Sequence, residues 1–387
     1  MKYLHADFIF NGREFLPQGS VLVLKNDGSI LDILPKAPNE EVLHLDGLLM
    51  PGFVNAHCHL ELSYLKNKIS SGNGLISFLI QINQLYQEKI STTTIQEAIE
   101  QAEKEMLQNG IVLIGDICNT DNTFDIKVKS PLHYHSFVEV YGLADEKINE
   151  KIQAAINLKK LFSQHHTSSV VFHAPYSISE KLRKEYIFQE EKLSSIHMQE
   201  SKEENTLFRY GQSAFDDFFS LLPFKTDIDF QKNKSSFSFF HSYLHAIKKV
   251  LLVHNTYVEK EDLVLSNQFP DKYVYCLCPK ANLFIENCLP PIPDIMQNQN
   301  VICIGTDSLA SNDTLSIYEE LKTIHEHFSQ IPVQTLLQWG TLNGAIALQK
   351  ENEFGEIAIG KKPGIIHIPE FINTQKLPVC RKILKIY

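Results

Sequence analysis

Two hydrophobic periods alternate along this chain. Through residue 50 the period is short: FIF runs into the turn pair Asn11-Gly12, SVLVLK runs into Asn26-Asp27-Gly28, and ILDIL resumes beyond. Short strands joined by tight turns are predicted there. From 51 to about 350, apolar runs alternate with helix-period segments. The clearest helix is TTTIQEAIEQAEKEMLQNG, with Ile95, Ile99, Ala102 and Met106 on one face, Thr94 and Glu97 as a capping box, and Gly110 as its end. TLSIYEELKTIHEHF and PVQTLLQWGTLNGAIAL predict two more, with Pro332 in a first turn.

The apolar runs between helices are LLMPGFVNAHCH, IVLIGD, LHYHSFVEVYG, SSVVFHAPYS, SSIHMQE, VLLVHN, YVYCLC and VICIGTDS. Eight such runs predict parallel strands buried on both faces. His59, Asp116, His173, His197, His254 and Asp307 fall at their C-terminal ends, the face where barrel enzymes carry their chemistry. After 350 the pattern is strand-like again, in EFGEIAIGKKPGIIHIPEF. The expected architecture is α/β: a (β/α)8 TIM-like barrel over 51–350, with a small β-sandwich domain built from segments 1–50 and 351–387. The stretch 201–245 is polar, Phe-rich and weakly periodic, and reads as a lid or long loop.

Composition narrows the partners. The 387 residues are 43% hydrophobic and 21% charged, a globular profile, and the net charge of −10 comes without a basic stripe. Nucleic acid and anionic membrane are poor partners for such a surface. No apolar run reaches the roughly 18 residues of a membrane helix, and the start MKYLHADFIFNGREF lacks the layout of a signal peptide. Seven cysteines without framework spacing fit a reducing, cytoplasmic setting. Frequency alone makes a homodimer a possible assembly.

Within this frame His57-Cys58-His59 is the first chemical candidate, because residues two apart on a strand face the same side. Among 16 histidines the spacing is weak evidence, and His133/His135 and His325/His327 repeat it. The helical pair His325/His327 reads as a solvated face. The first pair differs by its company: His197, with Glu200 three residues on, His254 and Asp307 all end apolar runs. Imidazole and carboxylate suit zinc or ferrous iron, and three histidines with one aspartate leave a position open for water. Taken singly, His197 and His254 read equally as satisfied core histidines and Asp307 as a helix cap.

PGFVNAHCHLELS, HAPYSIS, HMQES, LLVHN, CLCPKANLFI and IGTDSLASNDTLSIYEEL, taken in order, resemble the strand-end motifs of the amidohydrolase superfamily. The likeness is strongest to its branch of adenosine-derivative, guanine and triazine deaminases and chlorohydrolases. GEIAIGKKPGIIHI resembles that branch's C-terminal strands, although Gly364 stands where many relatives carry an acidic residue. The resemblance implies one divalent metal, zinc before iron, on His57, His59, His197 and Asp307. It makes Glu200 the proton shuttle, His254 a polarising group and His173 a substrate contact, with Asp307 and His254 assisting attack on the amino-bearing carbon. Binuclear relatives carry a lysine at the end of the fourth strand, where this chain reads VVFHAPYS. HCHLELS and SLASNDTLSIYEEL are similar to aminofutalosine deaminases of a menaquinone route, which implies a 6-aminopurine nucleoside derivative as substrate.

Some assignments stay open. Glu61 binds substrate or pairs with a nearby cation, and Phe237, Phe239 and Phe240 cover a purine or belong to the core. The cysteines, Cys276 and Cys278 included, read as small buried apolar residues. Guanine, adenosylhomocysteine, triazine and cyclic-amide chemistry are the enzymatic alternatives, and a catalytically silent binding protein is the other class.

Overall fold

The computed structural model describes residues 1–185, 191–223, 229–298, 300–380 and 382–387. Four strands come from the start of the chain: β1 (Lys2–Ile9), β2 (Val21–Leu24), β3 (Ile30–Leu34) and β4 (Val42–Pro51). Eight follow at intervals: β5 (Phe53–Cys58), β6 (Ile111–Cys118), β7 (His133–Val140), β8 (Thr167–Phe172), β9 (Leu193–Met198), β10 (Lys249–His254), β11 (Tyr273–Leu277) and β12 (Val301–Ile304). The last two are β13 (Ile365–Ile368) and β14 (Leu384–Lys385).

Both ends of the chain share one six-stranded sheet, ordered β14-β13-β4-β1-β2-β3. The pair β1–β4 is parallel and the remaining pairs are antiparallel. The C-terminal segment is less strand-rich than its pattern predicts. Gly355, Gly360 and Gly364 all have positive φ, so GEIAIGKKPG folds as turns before β13 begins.

β5 to β8 form one four-stranded parallel sheet and β9 to β12 another. Every residue of β5, β6, β9 and β11 is buried, which is why these runs do not alternate apolar with exposed polar residues. The two sheets meet at both margins. The His197 amide donates to the His173 carbonyl at 2.9 Å, and the Thr306 amide to the His57 carbonyl at 2.9 Å.

The predicted long helix spans Thr92–Gln108, but its cap is Ser91, whose hydroxyl accepts from the Thr94 amide. The serine stands one residue ahead of three threonines and so takes the orphan amide first. In the helix Ile317–His327, His325 is buried and His327 exposed, so this pair is not wholly solvated. The stretch 201–245 is not one long loop. It holds helices Lys202–Tyr210, Phe215–Ser220 and Ser236–Phe240, while 224–228 lies outside the described residues. Its phenylalanines explain the order: Phe208, Phe215, Phe219 and Phe230 bury one another, and Phe237 and Phe240 join the main core. No described helix is long and apolar enough to cross a membrane, and all seven cysteines are free.

Candidate active site

The site is built where β5 departs from regular pairing. Asn55 pairs with Ile114 and Cys58 with Asp116, three steps on one strand against two on the other. The extra residue breaks the ladder at Ala56-His57, as a bulge does where a side chain must be re-aimed. The freed His57 carbonyl is taken by the amides of Thr306 and Asp307, at 2.9 and 3.2 Å. β12 approaches so closely that a Cβ on Gly305 would meet the His57 oxygen at 2.7 Å and its Cβ at 2.8 Å. Glycine in IGTDS is therefore a spacing requirement.

His57, His59, His197 and Asp307 converge. His57 Nε2 and His59 Nε2 lie 3.7 and 3.5 Å from Asp307 Oδ1, and His59 Nε2 lies 3.1 Å from His197 Nε2. Two ligand triads share His57: one with His59 and Asp307, one with His197 and His254. Ligand atoms about 2.1 Å from a tetrahedral zinc stand roughly 3.4 Å apart, close to these separations. Both ring nitrogens of fully buried His57 have no hydrogen-bond partner, the mark of a lone pair kept for something else. The donor set therefore fits a divalent ion.

His254 Nε2 stands 3.6 Å from Glu200 Oε1, and His173 accepts or donates at Nδ1 with Ser177 Oγ at 2.9 Å. His254 and Asp307 both hold positive φ, 74° and 55°. Non-glycine residues kept in that region are a form of stored strain, common at functional sites. Ser311 Oγ donates to Asp307 Oδ2, and His197 Nδ1 pairs with the His173 carbonyl at 2.9 Å.

Electrostatics follow burial. Loss of hydration holds His59 down to about 4, and His173 and His254 down to about 3, leaving neutral imidazoles able to donate lone pairs. Burial pushes the Glu200 carboxyl well above its usual range, with Asp307 adding to the effect. Burial would also raise Asp307, but His57, His59 and His254 outweigh it and hold that carboxyl below the usual range.

A cavity of about 360 Å³ opens onto these groups, touching His59, His173, His197, Glu200, His254 and Asp307. Its outer walls are apolar: Leu75, Phe78, Leu79 and Ile82 from the helix Gly74–Tyr86, facing Phe218 and Leu222. Glu61 does not line it. Its carboxylate accepts from the amides of Asn119 and Thr120, both at 3.0 Å, and from the Thr120 hydroxyl at 2.8 Å. Asn119 does line the cavity, so Glu61 touches the site through that loop.

Two further lining residues are not among the sequence candidates. Glu139, ending β7, accepts from Asn119 Nδ2 at 2.9 Å and lies 3.5 Å from His197 Nδ1, and burial pushes it up to about 8. Lys151 donates to the Tyr141 carbonyl at 2.9 Å and lies over the Tyr141 ring. Glu139 sits at a strand end, the criterion that found the histidines, and extending it to every carboxylate would have found this one.

The Amidohydrolase family matches residues 48–379. An aminodeoxyfutalosine deaminase from a Nitratiruptor species is 27% identical over 363 residues, covering 89% of this chain and 85% of its own length. Helicobacter pylori aminofutalosine deaminase, in its crystal structure with methylthio-coformycin, has a TM-score of 0.82 at 21% identity, over 99% of this chain and 97% of that one. An adenosine deaminase from Xanthomonas campestris, solved with bound zinc, has a TM-score of 0.73 at 19% identity, over 95% and 84%. These likenesses carry a shared fold of the TIM-barrel type. With its sequence matched over most of its length, the chain belongs to the Amidohydrolase family, whose members are metal-dependent hydrolases.

Proposed function

We propose that this chain is a hydrolytic deaminase of a 6-aminopurine nucleoside derivative, with aminodeoxyfutalosine as the first substrate to test. One observation carries the reading: three imidazoles and one carboxylate, 250 residues apart in the sequence, share a buried floor beneath a cavity roomy enough for a nucleoside. Segment 51–350 acts as one closed (β/α)8 barrel, and 1–50 with 351–387 as the small β-domain. The ion is single and zinc before iron, held by His57, His59, His197 and Asp307. The chain has His173, not a lysine, after β8, which supports one metal over two. Free cysteines support a cytoplasmic setting.

A divalent ion held by His57, His59, His197 and Asp307 would supply Lewis acidity that makes water a competent nucleophile near neutral pH. The protein's own groups do the rest. Glu200 moves a proton from the attacking water to the ring nitrogen beside the amino-bearing carbon, which makes that carbon electrophilic. His254, 3.6 Å from Glu200, and Asp307 flank the carbon, where they stabilise charge and pass a proton to departing ammonia. His173 orients the purine. The apolar outer wall takes the substituent on the sugar and keeps water from the floor.

Ammonia release is the test, measured on a panel of adenosine derivatives with guanine and a triazine as outliers. Release from aminodeoxyfutalosine ahead of the others is expected, and a ring-opened product without ammonia would refute deamination. Glu200→Gln should keep the metal and lose about 10²- to 10⁴-fold in turnover, while His197→Ala loses both. Substantial turnover in Glu200→Gln would remove the shuttle from the mechanism.

A further inference from the structure

Against the segment that carries His57 and His59 lies a fully buried ion pair that the chemistry above does not use. Lys127 Nζ is 2.6 Å from Asp116 Oδ2, and both side chains are wholly shielded from solvent. Lys127 also donates to Ser136 Oγ at 2.9 Å and Cys118 Sγ at 3.1 Å, and it lies over the Phe162 ring at 4.4 Å. Neither residue lines the cavity. A buried ion pair is weak evidence of stabilisation, because desolvation offsets the attraction. Its presence here calls for another reason.

The other carboxylate oxygen supplies one. Asp116 Oδ1 accepts the Leu60 amide at 2.8 Å and faces Cys58 Sγ at 3.5 Å. Leu60 directly follows His59, and Cys58 separates the two histidines. Asp116 is also the ladder partner of Cys58, the first regular pair beyond the bulge. Where β5 gives up regular pairing to turn His57 inward, this carboxylate takes hold of the chain on the far side.

We infer that Asp116 is a positioning residue for the metal centre: it clamps the Cys58-His59-Leu60 backbone so that both imidazoles meet one ion, and Lys127 is the counter-charge that lets a carboxylate occupy that apolar place. The inference rests on His57 and His59 being metal ligands. Lys127 holds the carboxylate's other oxygen and makes no contact with the Leu60 amide. Its charge is dispensable once the carboxylate is neutralised, but the oxygen facing Leu60 is not.

The experiment compares two double variants by zinc affinity in a chelator competition, alongside Tm. Asp116→Asn with Lys127→Met removes both charges and keeps an oxygen for the Leu60 amide, and should bind zinc within about 3-fold of the parent, as an intact outer-shell contact predicts. Asp116→Ala with Lys127→Met removes the oxygen as well. It should bind zinc about 10- to 100-fold more weakly at a similar Tm. Equal affinity in the two variants overturns the clamp while leaving the metal site intact. A parent protein that takes up no zinc overturns the metal-site reading and the clamp together. Hydrogen exchange on the unmodified chain decides the matter even if the variants misfold. The Leu60 amide should be among the slowest in the metal-free protein, and exchange as fast as in exposed loops overturns the inference.

Discussion

His135 and His57 stand in the same kind of motif and do opposite things. His135 has both ring nitrogens engaged, by Thr167 Oγ1 and Ser169 Oγ at 2.9 Å each, whereas His57 has neither. The partners of His135 come from β8, more than thirty residues on, so spacing alone does not separate a metal-type pair from a structural one. What the sequence does reveal is recurrence at strand ends: of the six residues that criterion selects, His59, His173, His197, His254 and Asp307 line the cavity and Asp116 does not. Burial, aided by Lys350, Lys127 and Lys159, holds His135 down to about 3 from an ordinary 6.5. A histidine kept neutral in the fold binds its proton more readily unfolded. Its contribution is therefore complete above pH 6.5 and lost progressively as pH falls towards 3, at about 1.4 kcal/mol per unit traversed. Urea titrations from pH 7 to 4 should show stability falling. The slope should flatten in His135→Gln, and an unchanged slope would point to other groups.

Among the elements, the strands were the readable part and their junctions were not. All eight apolar runs became parallel strands because residues buried on both faces leave an uninterrupted apolar signature. The bulge in β5, the Ser91 cap and the turns at Gly355, Gly360 and Gly364 depend on one residue each and leave no period to detect. Gly305 is such a residue. An alanine there drives its methyl into the His57 backbone, so Gly305→Ala should cost about 1–3 kcal/mol by overpacking and weaken metal binding with it. Thermal unfolding with metal analysis checks both, and full metal content at unchanged Tm would contradict the close approach. Ser91→Ala, far from the cavity, should cost about 1 kcal/mol with kcat and KM unaltered.

For the molecule as a whole, the terminal segments share a sheet as their patterns predict, while the Phe-rich stretch, whose weak period predicts a lid or long loop, holds three short helices. Its order comes from aromatic packing between short helices, which has no fixed period to find. The buried floor links this global organisation to the ion. Four ligand groups from in and after β5, from β9 and from beyond β12 meet there, and both ring nitrogens of His57 stay unpaired without a cation between them. Removing metal with a chelator should lower Tm, and zinc should restore it. At a free concentration about 1,000 times Kd, the restored stability is about 4 kcal/mol. Identical melting curves with and without chelator would mean the floor needs no ion.

The shared sheet also sets an order of events in the living cell. β4 (Val42–Pro51) is flanked by β1, which precedes it in the chain, and by β13 (Ile365–Ile368), which follows only after the whole 52–364 segment. At ribosomal speeds of about 5–20 residues per second, one margin of β4 waits on the order of tens of seconds for its neighbour. During that interval its backbone donors and acceptors are open to any passing strand, so the nascent chain carries an unpaired strand edge just ahead of the strand that bears His57.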